Sequence, residues 1–377
     1  MYLSELQLDH YRNYEQVDVH FSPDINVLIG ENAQGKTNLL EAIYVLALAR
    51  SHRTNNDREL IQWDGEFAKI TGLVQRQTGH TPLELVVSQK GKKAKVNHLE
   101  QAKLSQYIGQ LNVVLFAPED LNIVKGSPAV RRRFIDMEFG QMSAKYLYNI
   151  SQYKSILKQR NQYLKQLQRR QAKDLVYLGV LSDQLAAYGA EVTVARREFL
   201  QQMEKWAQKL HQEITKEREV LTFKYQSQIP DEQLVLDAEG LYQQFQTLYE
   251  SHQTREVEQG TTLVGPHRDD VLFLVNGKDV QSFGSQGQQR TTALSVKLAE
   301  IDLMKEQTGE YPVLLLDDVL SELDDLRQTH LLKTFQNKVQ TFLTTTSLEN
   351  VKKEIISAPR VFTVTNGTVT VADAAAN

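Results

Sequence analysis

A chain of 377 residues with 41% hydrophobic content is long enough for two packed lobes, and its longest apolar run, Ala42 to Ala49, is far too short to cross a bilayer. The lack of cysteine excludes disulfides and thiolate metal sites, the nine histidines are scattered without zinc-ligand spacing, and Met1 to Asp9 has no secretory-signal pattern; a cytoplasmic protein with no membrane partner is expected. The net charge of −4 conceals an asymmetry: Arg131 to Lys173 carries eleven Lys or Arg against Asp136 and Glu138, and Asp231 to Gly260 carries seven Asp or Glu against Arg255.

In chain order, Tyr2 to Leu8 alternates as a half-buried strand does. Ile25 to Ile29 is a short β-branched run that stops at Gly30, and a helix is expected from about Lys36 to Leu48. Between them Gly30-Glu31-Asn32-Ala33-Gln34-Gly35-Lys36-Thr37 matches G-x-x-x-x-G-K-[ST] in full. Strand, glycine loop and helix start form the setting in which inward-pointing backbone N–H groups bind phosphate. In that pattern Lys36 meets the β- and γ-phosphates of ATP and the Thr37 hydroxyl serves Mg²⁺. Asn38 follows on the first turn of the helix. Thr81 to Val96 reads as a hairpin whose second half carries Lys92, Lys93 and Lys95.

The middle third changes period. Tyr146, Ile150, Tyr153, Leu157, Leu164 and Leu167 repeat every three or four residues, interrupted by Arg160. Leu178 through Ile214 keeps the same spacing for longer, and proline is absent from Arg131 to Ile229. Two long helices joined near Gln171 to Asp174 are predicted, as a short antiparallel helical hairpin inserted at 128–260 into a head made of 1–127 and 261–377. From Thr261 strands return: Val271 to Val275 with the turn Asn276-Gly277, then the buried run Val313 to Leu316.

That last run ends in Asp317-Asp318, where a P-loop fold holds its metal shell. Asp317 is assigned to Mg²⁺, and Asp318 to the water beside the γ-phosphate. Upstream, Ser285-Gln286-Gly287-Gln288 opens a helix. A serine and glycine there read either as a second anion site on the helix N-terminus or as an ordinary serine cap. A phosphate loop and an Asp-Asp strand separated by nearly the whole chain, with this motif and Ser321-Glu322-Leu323-Asp324 beside the second, resemble an α/β ABC-type (SMC/Rad50-like) ATPase head with an inserted helical arm.

Further segments sharpen the resemblance: Tyr11-Arg12-Asn13-Tyr14, Ser51-His52-Arg53-Thr54, Pro118-Glu119-Asp120-Leu121, Lys125 to Pro128, Arg131 to Asp136 and Gly265-Pro266-His267-Arg268-Asp269-Asp270. Together they resemble the RecF family of bacterial recombination mediators over nearly the whole chain. The resemblance implies ATP held by Gly30 to Asn38 of one subunit against Ser285, Gly287 and Gln288 of another. It implies an ATP-dependent homodimer, with slow hydrolysis (Lys36, Asp317, Asp318) acting as a switch. It also implies binding to double-stranded DNA and to junctions of single- and double-stranded DNA at the nucleoid, and help from RecR with RecO in loading RecA.

Arg131, Arg132 and Arg133, the arm string Lys145, Lys154, Lys158, Arg160, Lys165, Arg169 and Arg170, and the hairpin lysines Lys90, Lys92, Lys93 and Lys95 are the candidate DNA contacts, with a bland solvated surface as the competing reading. Two family features are missing. Thr344-Thr345-Thr346 stands where many ABC ATPases have a histidine, and no glutamine stands near Phe116 to Asp120. An ABC transporter subunit, a structural SMC-like protein and a non-hydrolysing nucleotide module are the alternatives. The first two fit poorly with the basic skew and the short arm, and the third with the Asp317-Asp318 pair.

Overall fold

The computed structural model describes residues 1–318, 338–346 and 359–371, with the isolated positions Gln328, Leu331 and Phe335. The chain divides into two compact units, Met1–Asp120 with Leu294–Asn377, and Leu121–Ala293.

Among the described residues the first unit holds two six-stranded sheets. One is antiparallel, in the order β2-β1-β4-β5-β6-β7, from β1 (Tyr2–Tyr11), β2 (Tyr14–His20), β4 (Phe67–Arg76), β5 (Gly79–Ser88), β6 (Gly91–Val96) and β7 (Leu99–Glu100). A register shift between Leu3 and Glu5 in β1 resets the alternation. Leu3, Leu6 and Leu8 can therefore all be buried although they are three and then two residues apart.

The other sheet has the order β15-β14-β3-β13-β12-β8, from β3 (Ile25–Ile29), β8 (Val113–Phe116), β12 (Val313–Leu316), β13 (Thr341–Thr345), β14 (Arg360–Thr365) and β15 (Thr368–Val371). All neighbours are parallel except the β14–β15 hairpin. β8, β12 and β13 are buried along their whole length, which explains the unbroken apolar runs of β8 and β12; β13 buries three threonines as well. Helix α1 (Lys36–Leu48) is buried on every face from Leu39 to Leu48, which is apolar apart from Glu41.

The key to the topology is β13. It lies between β3 and β12, pairing Thr345 with Ile29 on one side and Leu343 with Leu316 on the other. The carboxyl ends of β3 and β12 thus share one edge of the sheet, a single strand apart. Ligands of open α/β sheets bind at this edge.

In the second unit the helices Ala144–Gln168 and Leu175–Thr215 form the expected hairpin, joined at Asp174, whose side chain caps the longer helix. Two features depart from expectation. A third helix, Ala238–Gln259, packs on the hairpin, so the acidic segment gives Leu241, Phe245, Tyr249 and Glu256 to the arm's core and keeps its other acids exposed. The unit also extends past residue 260, because β10 (Asp270–Val275) pairs along its length with β9 (Leu221–Gln226), and with β11 (Lys278–Asp279) completes a small antiparallel sheet.

Arg160, which interrupted the apolar spacing, is fully buried. Its Nη2 donates to Glu256 Oε2 at 2.6 Å, its Nη1 to Thr262 Oγ1 at 2.8 Å and its Nε to Ser182 Oγ at 3.0 Å. The Tyr249 ring lies 4.8 Å away. A second buried node joins Arg196 to Asp136 at 2.7 Å and to the Pro266 carbonyl at 2.6 Å. Burial alone would raise the Asp136 carboxyl, but Arg196 and Lys154 hold it below its ordinary value. The Gly265–Asp270 segment sits in the same node. Burial pushes the His267 imidazole down to about 4 and the Asp269 carboxyl up to about 6. These motif residues are therefore structural ties inside the arm unit.

Candidate nucleotide site

The loop between β3 and α1 takes the shape its glycines allow. Gly35 has φ +119, and a Cβ there would stand 2.8 Å from both Asn13 Nδ2 and the Tyr14 hydroxyl, so the position excludes any side chain on two grounds. The Tyr14 hydroxyl donates to the Gly35 carbonyl at 2.9 Å. Glu31, Asn32 and Ala33 are exposed on the crest of the loop. Lys36 folds its ammonium back under the loop, onto the carbonyls of Gly30 at 2.7 Å and Glu31 at 2.8 Å. Burial lowers the Lys36 ammonium below its ordinary value, against the opposing pull of Asp318 and Asp317.

The Thr37 hydroxyl donates to Asp317 Oδ1 at 3.0 Å, across 280 residues of sequence. The Thr344 hydroxyl donates to the same oxygen at 2.9 Å and accepts the Asp318 N–H at 2.9 Å. The first threonine of the Thr344-Thr345-Thr346 run thus ties down the Asp317 carboxylate and the Asp318 backbone from the neighbouring strand β13. Asp318 is exposed and has φ +53, a conformation that Asp tolerates and that local packing must hold. The oxygen donors present, one hydroxyl and one carboxylate beside a phosphate loop, suit Mg²⁺, which takes few protein ligands and completes its shell from phosphate and water. Among the described residues no cluster of three or more His, Asp or Glu side chains offers a rival metal site.

Two motifs whose roles were not legible in sequence pack around α1. Arg12 grips Glu41 with two bonds, Nε to Oε2 at 2.9 Å and Nη2 to Oε1 at 2.8 Å, and the Ser51 hydroxyl donates to Glu41 Oε1 at 2.5 Å. Burial alone would raise the Glu41 carboxyl, but the Arg12 and Ser51 bonds hold it below its ordinary value. Asn38 donates to Asn13 Oδ1 at 2.7 Å and accepts from Arg53 Nη1 at 2.8 Å. Sequence reasoning named Asn13, Tyr14 and Thr344 without assigning them these roles, because each acts through a partner at least 21 residues away.

The signature-like residues lie in the other unit. Ser285 and Gln288 bond reciprocally, Ser285 N to Gln288 Oε1 at 2.9 Å and Gln288 N to Ser285 Oγ at 3.2 Å, which is a helix cap at the start of Gln286–Thr308. Ser285 is exposed, Gly287 is half-buried, and Gln288 also reaches Glu219 at 2.9 Å. The Ser321–Asp324 segment lies outside the described residues.

The basic candidates divide. Arg131 is buried and held at 2.7 Å by both oxygens of Asp270, so its guanidinium is not offered to DNA. Arg132 donates to the Asp269 carbonyl at 2.7 Å, leaving Arg133 as the exposed member of the trio. Arg160 of the arm is buried, as described. On the hairpin Lys92 is tucked against Asp57 at 2.6 Å, Lys95 against Glu84 at 2.7 Å, and Lys93 stands 3.7 Å from Glu100. Counting cations in sequence could not show which carboxylates they face.

The RecF/RecN/SMC N terminal domain model matches residues 2–370. The chain is 91% identical over 369 residues to the DNA replication and repair protein RecF of Latilactobacillus sakei subsp. sakei (strain 23K), covering 98% of each. It is 67% identical to the protein so named in Lacticaseibacillus casei (strain BL23), covering 98% of this chain and 99% of that one. The chain belongs to the RecF family. RecF is a DNA replication and repair protein in these relatives, and the solved structure of the recombination mediator protein RecF-ATP in the RecFOR pathway superposes with a TM-score of 0.90 at 34% identity, covering 98% of this chain and 97% of that one. An Smc head bound to the C-winged helix domain of ScpA superposes with a TM-score of 0.55 at 14% identity, a likeness of fold alone.

Proposed function

We propose that this RecF-family chain binds ATP and Mg²⁺ at Gly30–Asn38 and Asp317, and that nucleotide binding closes a homodimer onto DNA. The observation that carries this reading is the 3.0 Å bond between Thr37 and Asp317, which brings phosphate loop and metal carboxylate to one sheet edge. The bound metal would neutralise charge on the β- and γ-phosphates. The loop amides and Lys36 would hold the triphosphate, and Asp318 would orient the attacking water. The solved relative whose name includes ATP supports the ligand. Gly30 to Thr37 of one protomer would face Ser285, Gly287 and Gln288 of another, at a helix start whose positive dipole end favours an anion.

In this reading hydrolysis is slow and releases the dimer. The dimer binds duplex DNA and single-strand/double-strand junctions at the nucleoid, and acts with RecR and RecO to help load RecA in recombinational repair and replication restart. Phosphate contacts would come from the exposed cations Arg133, Lys158, Lys165, Arg169 and Arg170. Such contacts carry no sequence preference.

The test is binding to a duplex with a single-stranded tail, with and without ATP, while light scattering follows mass. ATP is expected to double the mass and strengthen duplex binding. Ser285→Arg should leave ATP affinity intact and abolish the ATP-dependent dimer; a variant that dimerises normally removes the trans-site model. The logarithm of DNA affinity should fall with the logarithm of salt concentration by roughly 0.9 for each phosphate contact, and a flat dependence removes the phosphate-contact account.

A further inference from the structure

The β14–β15 hairpin, which no motif singled out, is built against the phosphate loop, and its turn bonds to one loop residue, Gln34. At the hairpin turn the Asn366 N–H donates to Gln34 Oε1 at 2.7 Å, and the Gly367 N–H donates to the Gln34 carbonyl at 3.1 Å. Asn13 Nδ2 donates to the same carbonyl at 3.2 Å. The turn cannot carry a side chain where it touches. Gly367 has φ +74, and a Cβ there would stand 2.3 Å from the Asn13 carbonyl oxygen. Gly30, at the other end of the loop, is pressed equally close: its Cβ would stand 2.3 Å from the Val364 carbonyl oxygen of β14. The loop is thus gripped at its base by β14, and at Gln34 by the hairpin turn and the β1–β2 turn.

We propose that Gln34 is a positioning residue. Its side chain is spent on the hairpin, and the Asn366–Gly367 turn, with Asn13, holds the loop in the conformation that receives a triphosphate. The proposal rests on the nucleotide-site reading above and deepens it. A loop whose amides must converge on phosphate loses affinity when it samples other shapes, because only the competent fraction binds. Three bonds to one residue of an exposed, glycine-bounded loop are a means of suppressing those shapes.

The test compares the full-length chain with Gln34→Met, which keeps the side-chain length and removes the acceptor. Thr370→Ala, exposed on β15 away from the turn, serves as the control. Gln34→Met is expected to raise the Kd for a fluorescent ATP analogue, and the KM for ATP, roughly 3- to 10-fold, the range for one lost hydrogen bond. It should leave kcat within about twofold and the nucleotide-free melting temperature within about 3 °C. Amide hydrogen exchange at residues 31–35 should speed up without nucleotide, and Thr370→Ala should change none of these.

Gly367→Ala is the stronger lesion; if it fails to fold, Gln34→Met still decides. Unchanged affinity together with unchanged exchange in Gln34→Met overturns the brace, as does a fall in kcat at constant KM, which marks a loss of folded protein only. A wild-type chain that binds no ATP overturns the nucleotide reading instead, and exchange at 31–35 then decides the brace separately.

Discussion

Lys36→Met is expected to lower ATP affinity about a hundredfold, and with it to remove ATP-dependent dimerisation and duplex binding. Without nucleotide the ammonium rests on the Gly30 and Glu31 carbonyls, half-buried, with Asp317 and Asp318 as its acidic neighbours. A methionine there loses a charge-assisted hydrogen bond to the triphosphate, worth about 3 kcal/mol, and each 1.4 kcal/mol is about a factor of ten. A hundredfold is a lower bound, because Asp317 and Asp318 then face the phosphates with one cation fewer. Folding should be nearly indifferent, since water can reach the freed carbonyl of exposed Glu31. Calorimetric titration with ATP and Mg²⁺ measures the first effect, and thermal melting of the nucleotide-free chain measures the second. Wild-type affinity in Lys36→Met would refute the assignment of the loop. A large drop in melting temperature would show instead that the lysine is a structural tie.

Arg160→Leu should destabilise the arm unit by about 3–5 kcal/mol, the usual cost of stranding one partner of a buried ion pair. The stranded partner is Glu256, which is fully buried and whose other oxygen accepts the Leu263 N–H at 2.7 Å. Thr262 and Ser182 lose a donor as well. Replacing both ions, Arg160→Leu with Glu256→Leu, should cost less than the two single changes added together, because no charge is left alone. Denaturant melts followed by helical circular dichroism give the cycle. A cost below about 1 kcal/mol for Arg160→Leu would mean that water reaches the site and that the pair contributes no more than a surface one. If Arg160 served DNA instead, its removal would weaken duplex binding at unchanged stability.

How much of this was legible beforehand varies with the range of the interaction. The hairpin helices and their junction near Gln171 to Asp174 followed from periodicity, because helix formation is settled within a few residues; the Asp174 cap was seen only in the fold. The Arg160 interruption was visible as an oddity, but its meaning was not: Glu256 lies 96 residues away and belongs to a helix whose acidity had drawn attention only as net charge. Arg131 shows the same limit. A run of three arginines is compatible with a DNA surface, yet Asp270, 139 residues on, takes the first of them into the interior.

The amino-acid sequence by itself determined the phosphate loop, the buried strand ending in Asp317-Asp318 and the membership of the family, because each is a local pattern of residue types at set spacing. The tertiary structure alone decided that β13 stands between β3 and β12, so that Thr37, Thr344 and Asp317 meet, and that the Asn366–Gly367 turn closes on Gln34. Strand order and register arise from pairing between segments hundreds of residues apart. No window of sequence contains the partner, and the geometry of a site made from both sides exists only once the sheet is assembled.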